Sequence, residues 1–484
     1  YTEGEPKRSK PLDSWIYRFR RAIYRESILS QRTEEKDKKA AANVGQFMER
    51  NLSQMGYGYL VKAMRVYNTA TAYQRCSVIR NMLLNASKPQ YWAYARDIFN
   101  VYSDHDWPDA MVQVTLLQLC ERMSKSGNPE EGERLIQEGL QWARSKEDKI
   151  TRAAILSSGA DLDRRRQDVL RARERAQEAL NIYRSVENSE AQQGMTLNKL
   201  ALIELQDKKY NAAMDKIREA EKTAAIPPVQ AMCRFIEGSI QAQGRKKENF
   251  EKAATFFHES NRLAGQSGNA MLALESGMKL GEVLLNSQQP AKAADVIQQV
   301  AMMANRLQAP VQERLCHAML AQAQGGLKNF ESALKASQRA LKITQDLKLT
   351  GLEAFDTFQV GRFNMELKNP TEAVALFKHA RSKLPAQANP NFLKELLFSL
   401  AGAQIQIGEL RSGEETLREA LSPAKMTNDQ QRLMAAHFEI ARLAKNRGDK
   451  KDAKTQFNLA LAIAEKSKNA EFRRRIKDEL KQLR

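Results

Sequence analysis

The sequence predicts an all-α chain: a solenoid of helix–turn–helix repeats, preceded by a helical extension and closed by a C-terminal capping helix. Three observations carry that expectation. Small residues return about every forty positions along most of the chain. Glycine and proline are scarce, 23 and 13 in 484 residues, too few for the turn every ~8–12 residues that a β-sandwich or barrel needs. The length also exceeds the ~250–300 residues at which a single core stops growing, so the chain is several domains or one elongated array.

Residues 1–45 read as a basic arm followed by an amphipathic helix. Lys7, Arg8 and Lys10 lie between Pro6 and Pro11 in an extended stretch, and Asp13-Ser14 can cap a helix opening at Trp15. In that helix Trp15, Ile16, Phe19 and Ile23 form an apolar stripe, while Arg18, Arg20, Arg21 and Arg25 cover the other faces. Residues 46–111 are rich in aromatics, among them Phe47, Tyr57, Tyr67, Trp92, Phe99 and Trp107. Rings at such spacing serve as core more often than as ligand platforms. Ala95, Phe99 and Ser103 faintly repeat the spacing found further on, which extends degenerate repeats back towards residue 46.

The repeats themselves occupy residues 112–465. Gly132, Ala172, Ala213, Ala253, Ala293, Ala333, Ala373, Gly413 and Ala453 are separated by steps of 40 residues, with one of 41. Seven residues after each stands a second, mostly small residue, from Gly139 to Ala460; four after each stands a mostly larger one, such as Ile136, Phe257, Phe377 or Phe457. Offsets of 0, +4 and +7 share one helical face. Twelve residues earlier runs a second track of large–small pairs: Leu119-Cys120, Leu200-Ala201, Leu280-Gly281, Leu320-Ala321, Val360-Gly361, Leu400-Ala401 and Ile440-Ala441. Polar segments such as Asn329 and Gly448-Asp449-Lys450 separate the tracks. Each unit is therefore helix A, a tight turn and helix B, with small residues where the two backbones approach. In the unit around Ala172 the charged run Asp163-Arg164-Arg165-Arg166 reads as the turn, which predicts a distorted unit or a basic turn open to a partner. In residues 466–484, Phe472, Ile476, Leu480 and Leu483 form one stripe, the expected signature of a helix closing the last repeat.

A large–small pair on helix A, followed by Ala, a bulky residue and Ala on helix B, resembles the tetratricopeptide repeat. The stretches from Phe330 to Leu341 and from Tyr210 to Ala220 come nearest to its helix B. The period of 40 exceeds the ~34 of the basic unit, and the long version is similar to repeats in kinesin light chains and spindle-orientation adaptors. The resemblance implies a right-handed α-solenoid whose helices A line a groove that holds peptides or neighbouring subunits. By register, Gln322, Arg362, Gln406, Arg442, Lys445 and Asn446 are expected in that groove. The Lys–Asn set with which some relatives clamp chaperone tails is not displayed at the corresponding positions.

Catalytic chemistry is not expected. The sequence has no GxxxxGK[ST], HExxH or GxSxG motif, and no GxGxxG after a strand, so no cofactor is predicted. The four cysteines form no CxxC pair, which argues against a metal site and for reduced, buried thiols in an intracellular, reducing compartment. His317 and His437 hold the same place in their repeats, three residues before the large–small pair, and a position repeated along a solenoid answers to packing. No apolar run reaches the ~18–20 residues of a membrane span.

Three partner classes remain. A non-catalytic scaffold would grip other protein subunits of a large assembly. The net charge of +19 would also attract RNA phosphate in a ribonucleoprotein such as an organellar ribosome, through the arm, Arg164–Arg166, and Arg473, Arg474 and Arg475. Peripheral membrane contact through the Trp15–Arg25 helix is the third. The basic balance and a first residue, Tyr1, that is not Met suit processing into a mitochondrial matrix.

Overall fold

A computed structural model describes residues 129–484, apart from 245, 386, 468 and 484, together with scattered helical positions at 35, 38–39, 42–46 and within 112–120. The basic arm (Lys7, Arg8, Lys10), the arginines at 18, 20, 21 and 25, and nearly all of the aromatic-rich segment lie outside the described residues. The chain divides between Ile240 and Gln241 into two compact units.

Unit 1 holds α1 (Pro129–Ser145), α2 (Lys149–Arg165), α3 (Val169–Arg184), α4 (Glu190–Gln206), α5 (Tyr210–Thr223) and α6 (Pro227–Gln241). Unit 2 holds α7 (Lys247–Gln266), α8 (Ala270–Asn286), α9 (Pro290–Arg306), α10 (Pro310–Gly326), α11 (Phe330–Asp346), α12 (Thr350–Glu366), α13 (Pro370–Ser382), α14 (Pro390–Gln406), α15 (Leu410–Met426), α16 (Gln430–Asn446), α17 (Lys450–Lys466) and α18 (Ala470–Gln482). Even numbers are helices A and odd numbers helices B. Every described element is helical.

The forty-residue period has a simple origin. Most helices are 17 residues long and most linkers are three, so a new helix starts every twenty residues from α8 to α18. A single linker chemistry recurs. The middle residue takes a left-handed backbone, as at Gln167 (φ 63), Lys328 (φ 60) and Gly408 (φ 86). The N–H that follows bonds back five residues, Gln289 to the Leu284 carbonyl and Asn329 to that of Gln324, both at 2.9 Å. This is the Schellman closure, which satisfies carbonyls that a helix end leaves orphaned. Several linkers end in Asp or Asn, whose side chain then caps the next helix; Asp429 Oδ1 accepts from the Arg432 N–H at 3.0 Å.

Packing follows the register read in the sequence. Ala172, Ala213, Ala253, Ala293, Ala333, Ala373 and Ala453 are all fully buried, and so are the larger Ile136, Ile217, Phe257, Phe377 and Phe457 beside them. The glycines of the A track are needed for close approach: a Cβ at Gly361 would come within 2.6 Å of the Phe377 ring, and one at Gly281 within 2.4 Å of Ile297. In unit 1 one core runs from Ala160 and Ala172 through Leu200 and Ile217 to Val229 and Ile236. At the C-terminal end, α18 seats Phe472, Ile476, Leu480 and Leu483 against Phe438 and Phe457. Phe438 and Phe472 stand 5.0 Å apart, and the Arg475 guanidinium lies 4.9 Å from the Phe438 ring centre.

The unit around Ala172 needs a correction. The run from Asp163 to Arg166 is not its turn, because α2 continues through Arg165 and the left-handed linker residue is Gln167. Nor is the unit distorted. Asp163 is buried, and Arg175 of α3 bonds it at 2.8 Å while reaching Glu133 of α1 at 2.6 Å. A paired carboxylate can sit in a helix interface where an isolated one could not.

Candidate functional site

A cleft of about 670 Å³ lies in unit 2, between helices α10 and α12 with α11 as its floor. That volume falls within the ~300–1,000 Å³ range of ordinary ligand sites. Helical geometry divides the cleft along its length. Towards the N-terminal ends, Leu315, Met319 and Phe355 present apolar surface, with Leu315 and Phe355 each 41% exposed. Two turns further on, Gln322, Gln359, Arg362 and Glu366 present polar groups. There the Phe363 ring packs onto Gly325 of α10, where a Cβ would meet it at 2.9 Å.

The two walls are tied together by charge. Arg314 of α10 grips Asp356 of α12 in a two-pronged pair, with Nε to Oδ2 at 2.9 Å, and Thr344 of α11 donates to the same Oδ2 at 2.5 Å. Both charged side chains are almost wholly buried. Such a pair fixes geometry more than it adds net stability, since desolvation offsets much of the attraction. It therefore sets the width of the cleft at one end. At the other end the Arg362 guanidinium lies 6.0 Å from the Phe358 ring centre and donates to Gln359 Oε1 at 3.1 Å.

Of the residues singled out by register, Gln322 and Arg362 line this cleft. Gln406 is exposed on α14 and Asn446 at the end of α16, both away from it. Arg442 is ion-paired with Glu439 at 3.2 Å. Lys445 is engaged inside the chain: its Nζ bonds Glu479 at 2.8 Å and Gln482 at 2.7 Å, pinning α18 to α16. Among the basic clusters, Arg165, Arg166, Arg473 and Arg474 are exposed, while Arg164 is half-buried with its carbonyl accepting from Gln206 at 3.0 Å.

Sequence reasoning missed Leu315, Met319, Phe355 and the Arg314–Asp356 pair. A signal existed. Leu315 and Phe355 occupy the sixth position of their helices, where the flanking helices A carry Glu275 and Glu395. Along the helices A that position reads Ala154, Met195, Met232, Glu275, Leu315, Phe355, Glu395 and Ala435, so the apolar pair on α10 and α12 is marked off by a glutamate on either side.

The histidines at equivalent positions behave as packing groups. His437 is buried with Nδ1 2.7 Å from Gln456 Oε1, and burial, helped by the nearby Lys425 and Arg418 charges, pushes its pKa below the ordinary value. Burial likewise lowers His317. Cys120, Cys233 and Cys316 are free and buried, and burial pushes their thiols up to about 12. Among the described residues no three His, Cys, Asp or Glu side chains are grouped to hold a metal ion, and no helix is long and apolar enough to cross a membrane.

No family model matches the sequence, and no curated protein matches it. Solved structures do share the architecture. A signal transduction ATPase with numerous domains, carrying a tetratricopeptide repeat sensor, from Pyrococcus horikoshii is 13% identical, with a TM-score of 0.51 over 99% of this chain and 68% of that one. The apo form of RapI is 14% identical, covering 74% of this chain and 99% of its own, with a TM-score of 0.46. The apo quorum sensor NprR of Bacillus thuringiensis is 12% identical, covering 73% and 98%, with a TM-score of 0.45. At 13% identity the likeness to the Pyrococcus horikoshii protein is one of fold. In fold, the chain is a tetratricopeptide-like array of helical hairpins.

Proposed function

We propose that the chain is a non-catalytic interaction scaffold that holds an extended segment of another protein in the cleft between α10 and α12. The observation that carries this reading is the exposed Leu315–Phe355 surface beside Gln322, Gln359 and Arg362. Apolar side chains supply affinity when covered, and side-chain amides offer the paired donor and acceptor that a peptide group needs. The basic balance of the whole chain suits membership of a large assembly, with the mitochondrial matrix as the setting it fits best.

Affinity purification of the full chain from its native source, beside a Leu315→Glu, Phe355→Glu double variant, tests the reading. Protein partners that survive nuclease and are lost from the variant are expected. Partners retained equally by both would overturn the assignment of this cleft.

A second reading has an observation of its own. Arg165, Arg166, Arg473 and Arg474 are exposed, and no carboxylate among the described residues pairs with them. Phosphate contact through these groups would show as binding to RNA that falls steeply with salt and weakens when the four are replaced by Gln.

A further inference from the structure

Arg362 stands apart from the other arginines of four successive helices A. Helices α10, α12, α14 and α16 carry four arginines. Arg314 pairs with Asp356, Arg432 with Glu395 and Arg442 with Glu439. Arg362 has no carboxylate partner among the described residues; a side-chain amide and the Phe358 ring are its company. Glu366 stands one turn away on the same helix, at the spacing that favours an ion pair, yet the guanidinium is turned towards Gln359. A guanidinium keeps its charge at any physiological pH and has five N–H groups to place, so most of its donor capacity is open to the cleft.

We propose that the cleft recognises an acidic side chain on the bound segment, held by Arg362, at a fixed distance from a large apolar side chain held by Leu315, Met319 and Phe355. This rests on the reading of the cleft as a segment-binding site and names the chemistry of the segment. Phe355 and Arg362 are seven residues apart on α12, two turns, or about 10 Å along the axis. An extended chain advances ~3.3 Å per residue, so about three residues separate the apolar anchor from the carboxylate. The carboxylate is assigned to a side chain of the segment, with a free chain end as the alternative that the peptide series distinguishes.

The test uses the full chain and an array of twelve-residue peptides with acetylated and amidated ends. Each carries one Phe in a Gly/Ser background, with Glu, Gln or Lys placed one to five residues after it. The expected result is a preference of about tenfold for Glu near the third place over Gln there, a difference worth ~1.4 kcal/mol. In Arg362→Gln that preference disappears while the need for Phe stays. In Arg362→Glu the preference turns to Lys. Arg362 is exposed, so both variants should melt as the native chain does.

Retention that needs Phe and is lost in Leu315→Glu, but is equal for Glu, Gln and Lys, would overturn this inference and leave the cleft reading standing. Retention of no peptide at all would overturn both. A parallel series ending in a free carboxylate at the third place, if preferred over internal Glu, would overturn the side-chain assignment.

Discussion

The hairpins α2/α3 of unit 1 and α14/α15 of unit 2 are built on the same register but fill it with different chemistry. In each, the fifteenth residue of helix A meets the seventh residue of helix B. In α2/α3 these are Asp163 and Arg175, a buried ion pair at 2.8 Å. In α14/α15 they are Gln404 and Thr416, a buried neutral hydrogen bond at 2.8 Å. In α8/α9 the same positions carry Leu284 and Val296. What the fold demands here is complementarity across a close backbone approach, and charge, amide or hydrocarbon each meets it. The ion pair differs in one respect. Burial pushes the Asp163 carboxyl pKa up, against the pull of Arg175 and Arg171. At Glu133 burial also opposes the charge, yet hydrogen bonds from Arg175 and Gln137 hold it below its usual range.

The largest effect is expected where the hairpins agree. Ala172, Ala333 and Gly413 hold one register position, buried in every hairpin. Ala333→Arg forces a charge between packed helices and should cost more than about 4 kcal/mol, read as loss of amide protection across α10 to α12. An unchanged melt would contradict the register. Next is Arg175→Ala, which strands Asp163 and should cost about 3 kcal/mol or more in unit 1. The double variant Asp163→Leu, Arg175→Met should recover to within about 1 kcal/mol of the native chain, because a hydrophobic pair can replace a buried ionic one. Failure of that rescue would show that the network through Glu133 is indispensable. Thr416→Val leaves the Gln404 oxygen buried without its donor, for a smaller loss of about 1–2 kcal/mol in α14/α15.

Acid should act on the hairpin that follows α14/α15. His437 has its pKa lowered in the fold, so its contribution to stability is present above the unfolded value of about 6.5 and is lost as pH falls below it. The α16/α17 pair should therefore lose protection as pH falls below about 6.5, and His437→Gln should flatten that slope. The smallest effect is in the turns. Gln167 holds the left-handed position that Gly408 holds in the other hairpin. Gln167→Gly should stabilise by about 0.5–1 kcal/mol, and Gly408→Gln should destabilise by as much, since the ~1–2 kcal/mol left-handed penalty outweighs the chain entropy of glycine. Equal melts would show that the helix ends, not the turn residues, set the linkers.

The helical array was legible because Ala333, Phe377 and their equivalents sit on faces that a period of 3.6 makes visible. The twenty-residue spacing of helix starts was not, because residues such as Lys328 and Gln288 occupy the left-handed positions in place of glycine. Asp163 was misread as part of a turn for a related reason: a carboxylate among arginines looks solvated until its partner, twelve residues on, is seen to be buried with it. Half of the cleft was legible. Gln322 and Arg362 follow from register, whereas Leu315 and Phe355 have meaning only when compared with Glu275 and Glu395 one repeat away on either side. Lys445 shows the limit of register, since a lysine on helix A can as well hold a neighbouring helix as face a partner.

Among the described residues, the side-chain links that run from one repeat to the next span at most 42 residues of sequence, as in Arg314 to Asp356 and Gln206 to the Arg164 carbonyl. A chain wired so locally waits for nothing distant. Proteins dominated by local contacts fold in microseconds to milliseconds, whereas ribosomes add about 5–20 residues per second. Each hairpin therefore has seconds to close before the next emerges, and the apolar faces of nascent helices are covered in order of synthesis.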